Sequence, residues 1–451
     1  MDVDLLVVGW GKAGKTLAKR AAAQGLSVAM VERSAQMYGG TCINIGCVPT
    51  KDLVVSAERR RPQDDPAEFF RAAVAGRDGL VEKLNDANHA MLEVPGVTIL
   101  DGAARFVGER TVAVQTSDGE QQVTGAAVVI GTGTTASRPG VPGADGPRVH
   151  DSTSIQHVDP LPQRLVIVGG GFIGLEFASM FANFGSQVTV LDGGEVFLPR
   201  LDRDVAESVK AALEDQGVRV EQKVRVTAIE DDGTGVIVRT DSGDHPGEAV
   251  LLATGRVPTT ADLALEAAGV ETDERGFIRV DDQLRTTAEG VYAVGDVNGG
   301  PQFTYISLDD SRIVWDALHG TGARRRSDRV AVPNTTFIDP PLSSVGMSEA
   351  QVRESGRRVL VGSKPVAQIA AMPRPKIVGQ THGLIKVYVD ADSREVLGAT
   401  VFCIDSQEII NLAALAMRAG VTADELRDGI WTHPSSTEAL NEVLAGLEPL
   451  D

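Results

Sequence analysis

The chain has 451 residues, 42% of them hydrophobic and 23% charged, with 49 glycines and 21 prolines, a balance that excludes a disordered chain, a collagen-like repeat and a small disulfide scaffold. At roughly 150 residues per domain the length suits three domains. Forty-three basic against 62 acidic residues leave a net charge of −19, which repels nucleic acid and anionic lipid. No run approaches the ~20 apolar residues of a membrane span. The opening MDVDLLVVGWGKAGK has no basic region or cleavage site, so a cytoplasmic protein is expected. Three cysteines are too few for a structural framework, and a close pair in a reducing compartment points to catalysis or metal binding.

In chain order, residues 3–8 are an apolar run of strand length. Gly9, Gly11 and Gly14 follow in the pattern GxGxxG, then a helical stretch, KTLAKRAAAQG, and a second strand ending at Glu32. Residues 164–192 repeat the unit with Gly169, Gly171 and Gly174 and end at Asp192. The first glycine and the terminal acid are 23 residues apart in both copies. This is the dinucleotide-binding fingerprint twice over. The first glycine allows the tight turn, the second lets the backbone approach a pyrophosphate, and the third packs helix on strand. The helix N-terminus then faces the phosphates and the acid accepts from a ribose hydroxyl. The chain is therefore expected to bind two dinucleotides.

VVIGTGTTASRPGVPG (128–143) reads as a strand followed by a proline-punctuated crossover, and LLATGRVPTT (251–260) as its counterpart after the second unit. TTAEGVYAVGDV puts Asp296 at the end of a short strand, and 319–334 is a basic, turn-rich linker. Beyond it, 335–451 shows strands and then helices with no glycine fingerprint, as expected of a domain that assembles the protein or completes a site.

Cys42 and Cys47 lie in GGTCINIGCVPTK. Positions i and i+5 of a regular helix are roughly 8–9 Å apart, beyond the ~7 Å a disulfide spans. A bridge needs a distorted backbone, which Gly46 and Pro49 ease. A zinc site lacks a second Cys/His pair to complete four ligands, and two inert thiols are the remaining alternative. The flanking nucleotide units favour a redox pair. Cys403, in an apolar strand, is expected to be a buried hydrophobe. No metal is expected.

Over nearly its whole length the sequence resembles the flavin-dependent pyridine nucleotide–disulfide oxidoreductases of the glutathione reductase and lipoamide dehydrogenase type. The resemblance rests on GGTCxNxGCxPTK, the paired GxGxxG units, ATGRxP at 253–258 and VYAxGD at 291–296. It implies an α/β fold with two Rossmann-like domains and a C-terminal α+β dimerisation domain. The implied boundaries are 1–148 and 259–328 for FAD, 149–258 for NAD(P)H, and 329–451 for a homodimer interface. Gly9, Gly11, Gly14, Glu32, Gly40, Thr41, Lys51, Gly133 and Asp296 are then expected around FAD, and Gly169, Gly171, Gly174, Asp192 and Gly255 at the nucleotide sites. Cys47 corresponds to the thiol against the flavin, Cys42 to the thiol that meets substrate, and Lys51 with Glu176 to an ion pair beside the flavin ring. Seen alone, each of those two charges is more commonly a solvated helix residue. His433, in THPSSTE, matches the acid–base histidine, contributed by the partner subunit and oriented by Glu438. Ser435-x-x-Glu438 is also a capping box for a helix STEALNEVLAGL.

Asp192 would repel a 2′-phosphate, so NADH is expected over NADPH. Trp431 stands where lipoamide dehydrogenases carry a second histidine, which counts against lipoamide. WGKAGKTLA, MYGGTCINIGCVPTK, VLGATVFCIDSQEIIN and THPSSTEALNE resemble bacterial flavoproteins of reactive-chlorine resistance that reduce hypothiocyanous acid (HOSCN). On that resemblance Cys42 attacks HOSCN and leaves thiocyanate and a sulfenic acid, which Cys47 resolves to a disulfide. Mycothione, glutathione disulfide, lipoamide, and Cu(II) or Hg(II) remain alternative substrates. A multienzyme-complex component and a redox sensor remain alternative roles.

Overall fold

The computed structural model describes residues 1–450. The first sheet runs in the order Val97–Asp101, Val28–Glu32, Asp2–Val8, Gly119–Ile130, Thr111–Thr116, Ala103–Gly108, and Val291–Ala293 joins it beside Gly119–Ile130. Its inner strands are parallel, with Leu5 against Val28 and Val8 against Ile130. They are continuous apolar runs because both faces are covered. Asp2–Val8 ends at Gly9, where φ is +102° and an added Cβ would stand 2.4 Å from the Gly131 carbonyl oxygen. Only glycine fits that turn, and the turn starts the helix Lys12–Ala23, which buries Leu17, Ala18 and Ala21.

The second sheet is fully parallel, in the order Arg219–Gln222, Gln187–Asp192, Arg164–Val168, Ala249–Leu252, Val149–His150. Gly169 repeats the geometry of Gly9, with φ +115° and the Ala253 carbonyl 2.5 Å from an added Cβ. The helix Phe172–Phe184 follows. Thr134–Ala136 and Arg256–Pro258 pair antiparallel, so the chain leaves the first unit and returns to it side by side. An antiparallel six-stranded sheet forms the C-terminal part, in the order Asn334–Thr336, Leu342–Gly346, Val396–Phe402, Leu384–Asp390, Val359–Pro365, Glu448–Pro449. The helix Ser406–Ala419 packs on it.

Lys386, buried in that sheet, donates to Asp204 at 3.0 Å and to Glu349 at 2.8 Å, and stands 3.6 Å from Asp202. Tyr388 donates to Asp202 at 2.8 Å. The cluster ties the C-terminal part to the second nucleotide unit.

The helix Pro66–Ala90, marked by none of the sequence motifs, opens with Pro66 at its first position and an Asp65 side-chain cap that accepts the Glu68 N–H. The helix expected to open on a capping box at Ser435 instead starts at Ala439. Glu438 accepts the Ser435 N–H at 2.8 Å, but the Ser435 hydroxyl returns no bond and is buried without a partner. The other Glu438 oxygen, Oε1, meets His433 Nδ1, so one carboxylate serves both the turn backbone and the imidazole.

Candidate active site

One cavity of about 1320 Å³ is lined by Gly9, Gly11, Gly14, Glu32, Gly40, Thr41, Cys42, Cys47, Lys51, Gly133, Glu176 and Asp296. The turn carrying Gly40 lies backbone against backbone on the first glycine turn, since a Cβ at Gly40 would stand 2.7 Å from Gly11 Cα. Glu32 is buried, which raises its pKa, and accepts the Trp10 N–H at 3.0 Å and the Ser34 N–H at 3.3 Å. Burial likewise raises Asp296, opposed by the Arg256 charge and by the Thr134 hydroxyl donating at 3.3 Å. Arg256 is held by the Thr134 hydroxyl and carbonyl at 2.8 and 2.6 Å. A backbone cradle at a helix N-terminus with a carboxylate at each end fits the diphosphate and the two sugar-like segments of FAD.

Cys42 sits on the short helix Thr41–Asn44, and Cys47 begins Cys47–Glu58. The break at Ile45–Gly46 removes the regular i,i+5 separation, and both thiols are free, each shifting the acidity of the other. Their acidities diverge. The neighbouring Cys42 thiol lowers Cys47 most, burial opposes it, and the Thr304 hydroxyl and then the Lys51 charge lower it further. The Cys47 thiol and burial push Cys42 up. Thr304 Oγ1 is 3.6 Å from Cys47 Sγ, and Thr304 opens the helix Thr304–His319, so the sulfur meets a positive helix end. Thr304 was not legible in the sequence: no motif marks it and it lies 257 residues from Cys47.

Lys51 and Glu176 form an ion pair at 2.6 Å. Glu176 also accepts the Phe337 N–H at 2.8 Å, and Lys51 stands 4.9 Å from the centre of the Phe337 ring. The pair thus joins the cysteine helix, the second nucleotide unit and the C-terminal part.

A second cavity of about 570 Å³ opens over Gly169, Gly193, Lys223 and Arg225. Asp192 accepts the Gly194 N–H at 3.2 Å beside it. Gly174 lies against the Gly169 carbonyl, whereas the space a Cβ would take at Gly171 is open, as a dinucleotide pyrophosphate requires. Gly255 has φ +115° and accepts the Ser137 N–H through its carbonyl. His433 Nδ1 and Glu438 Oε1 are 2.9 Å apart, with the His433 side chain 70% exposed. Neither residue lines the cavity that holds the cysteines of the same chain. Cys403 is fully buried. Among the described residues no cluster of metal-ligating side chains occurs, and no helix is long and apolar enough to cross a membrane.

Residues 3–310 match the pyridine nucleotide-disulphide oxidoreductase family, and 332–444 match its dimerisation domain. The chain belongs to this family. It is 44% identical over 442 residues, 98% of each chain, to the probable pyridine nucleotide-disulfide oxidoreductase RclA of Escherichia coli. It is 33% identical over 458 residues to a dihydrolipoyl dehydrogenase of Haloferax volcanii, covering 97% of this chain and 95% of that one. A solved structure of the HOCl-induced flavoprotein disulfide reductase RclA from E. coli superposes with a TM-score of 0.93 at 44% identity, covering 98% and 99% of the two chains. Its Cu(II) complex gives 0.94 at 43%, covering 99% of each. The protein is thus an NAD(P)H-dependent, FAD-containing disulfide oxidoreductase of the glutathione reductase fold, with a dimerisation domain that makes it a homodimer.

Proposed function

We propose that this flavoenzyme uses NADH to reduce HOSCN through Cys42 and Cys47, as part of defence against reactive chlorine species. The observation that carries the reading is one cavity holding two free thiols of opposed acidity, in a chain 44% identical to a relative described as HOCl-induced. Bound FAD supplies the two-electron relay between the pyridine nucleotide and the cysteine pair. Cys42, as thiolate, attacks the sulfur of HOSCN. Hydroxide leaves and takes a proton to become water, so the first product is Cys42–S–SCN rather than the sulfenic acid expected above. Cys47, as thiolate, then displaces thiocyanate and closes the disulfide. The sum is two thiols and HOSCN giving disulfide, water, thiocyanate and a proton.

His433 of the partner subunit, oriented by Glu438 on Nδ1, takes the Cys42 proton through its other ring nitrogen. The same chain offers its own His433 no such contact, while Ile430 close by is 99% exposed, as suits a segment that inserts into a second copy. Asp192 selects NADH by accepting from the adenosine 2′-hydroxyl.

NADH oxidation by purified holoenzyme, with HOSCN, lipoamide, glutathione disulfide, mycothione and Cu(II) compared at matched concentrations, tests the substrate. Fast turnover confined to HOSCN supports the reading, and preference for a bulky disulfide refutes it. Cu(II) is the second candidate because the E. coli relative has been solved as a Cu(II) complex, and turnover with Cu(II) exceeding that with HOSCN would favour it. Mixing inactive Cys42→Ser and His433→Gln dimers tests the shared site: hybrids regain activity only if each site draws on both subunits.

A further inference from the structure

The first glycine turn of this chain is followed by a charge that nucleotide binding does not explain. Lys15 comes directly after Gly14, yet only 6% of it is exposed. Its ammonium donates to Asn88 Oδ1 at 2.5 Å and to the Gly39 carbonyl at 3.4 Å. Both partners are neutral, and among the described residues no carboxylate pairs with it. A buried cation without a counter-charge is costly, and such groups concentrate where a charge is used.

The surroundings show where that charge acts. The helix Pro66–Ala90 turns one face, Arg77, Asn85 and Asn88, toward the segment 38–46. Asn85 donates to Asn44 at 2.9 Å, and Asn44 donates to the Gly40 carbonyl at 2.9 Å. Arg77 donates to Gln156 at 3.0 Å, and Gln156 donates to the Ile45 carbonyl at 3.0 Å. Through Asn88 the same face holds Lys15 against Gly39, three residues before Cys42. The cysteine turn is thus fixed at its carbonyls, and one of its supports is charged.

The titratable groups facing this region are few. Burial, then the Lys12 charge on the same helix, push the Lys15 pKa down to about 8, while the Cys42 charge acts in the opposite sense. Cys42 meets Cys47, the Thr304 hydroxyl and Lys15. From the end of the long helix, His89 is engaged with Glu93 and stacks on Trp10, and Tyr38 donates to Asp101. Lys51 acts on Cys47 and is paired with Glu176. Each thiol therefore has its own lysine.

We propose that Lys15 is a positioning residue for the reduced enzyme: its buried ammonium, fixed by Asn88 and the Gly39 carbonyl, supplies the positive charge behind the cysteine turn that favours the thiolate of Cys42. The inference rests on Cys42 being the thiol that meets the oxidant. It gives the attacking sulfur a counter-charge within its own chain, in addition to the base contributed across the dimer.

The test alkylates reduced holoenzyme with iodoacetamide across a pH series and maps the modified cysteine by mass spectrometry, with flavin content measured in parallel. Lys15→Met should raise the midpoint for Cys42 alkylation, by less than the ~1–3 units of an opposite charge in direct contact, because the Lys15 charge is the smallest of the influences that act on this thiol. Asn88→Asp keeps the shape and the hydrogen bond but pairs the ammonium, so it should move the midpoint the same way. A role in packing alone predicts no shift for Asn88→Asp, and that result overturns the proposal. Loss of flavin from both variants also overturns it, by showing that the ammonium serves the diphosphate. The readout does not depend on HOSCN turnover, so failure of that substrate leaves the inference standing. Alkylation of Cys47 in place of Cys42 in the unmodified enzyme would remove the thiol assignment and this inference with it.

Discussion

Replacing Thr304 with valine keeps the side-chain shape and removes the hydroxyl 3.6 Å from Cys47 Sγ. Hydrogen bonds to charged groups contribute about 1.5–3 kcal/mol, and the long sulfur contact belongs at the low end. At 1.36 kcal/mol per unit, about 1.5 kcal/mol corresponds to a pKa shift of roughly one unit. The sign follows from the acid form. Thr304 lowers the pKa of Cys47 by favouring its thiolate, so the variant must be taken to higher pH before the thiolate forms. The helix N-terminus and Lys51 remain, so part of the depression persists. The assay is a pH titration of the thiolate–flavin charge-transfer absorbance in reduced holoenzyme. An upward shift of roughly one unit is expected. A midpoint that stays in place would show that the hydroxyl does not solvate this sulfur and that the Cys42 thiol and Lys51 carry the effect without it.

Cys42→Ser should abolish substrate turnover while FAD stays bound and NADH still reduces it; full turnover in this variant would eliminate a dithiol mechanism. His433→Gln should lower turnover by about 10²–10⁴-fold, the usual contribution of a positioned acid–base group, with NADH-dependent flavin reduction unaffected. Lys386→Met leaves Asp202 and its neighbours without their cation, and unpairing a buried ion cluster costs about 3–5 kcal/mol, at the lower end here because Asp204 and Glu349 are partly exposed; a melting temperature equal to wild type would contradict this. The hydrogen bond from Lys386, then Arg353, lowers Glu349 from 4.5 to about 2. The stability it contributes is therefore present above pH 4.5 and lost as pH falls through about 2. Thermal melts across that window should show a shallower acid dependence in Lys386→Met than in wild type.

The two nucleotide units were legible because their constraints are local. Gly9 and Gly169 must be glycine for the turn itself, and Glu32 and Asp192 end strands whose length and spacing are written in the chain. The cysteine motif was legible for the same reason, with its helix break encoded at Ile45–Gly46. Residues that act by approach rather than by sequence neighbourhood were not. Thr304 reaches Cys47 across 257 positions and Asn88 reaches Lys15 across 73, and in the plain sequence Lys15 and Asn88 look like ordinary surface residues of two helices. The capping box at Ser435 shows the converse, a local pattern of which only the Glu438 half forms, the Ser435 hydroxyl being left without a partner. The sequence by itself determined the twofold α/β plan, the glycine turns and the position of the thiol pair, since short-range sterics and hydrophobic runs decide those. Only the tertiary structure decided which charges and hydroxyls surround each sulfur, because burial and distance set their acidity and both are products of packing between segments far apart in the chain.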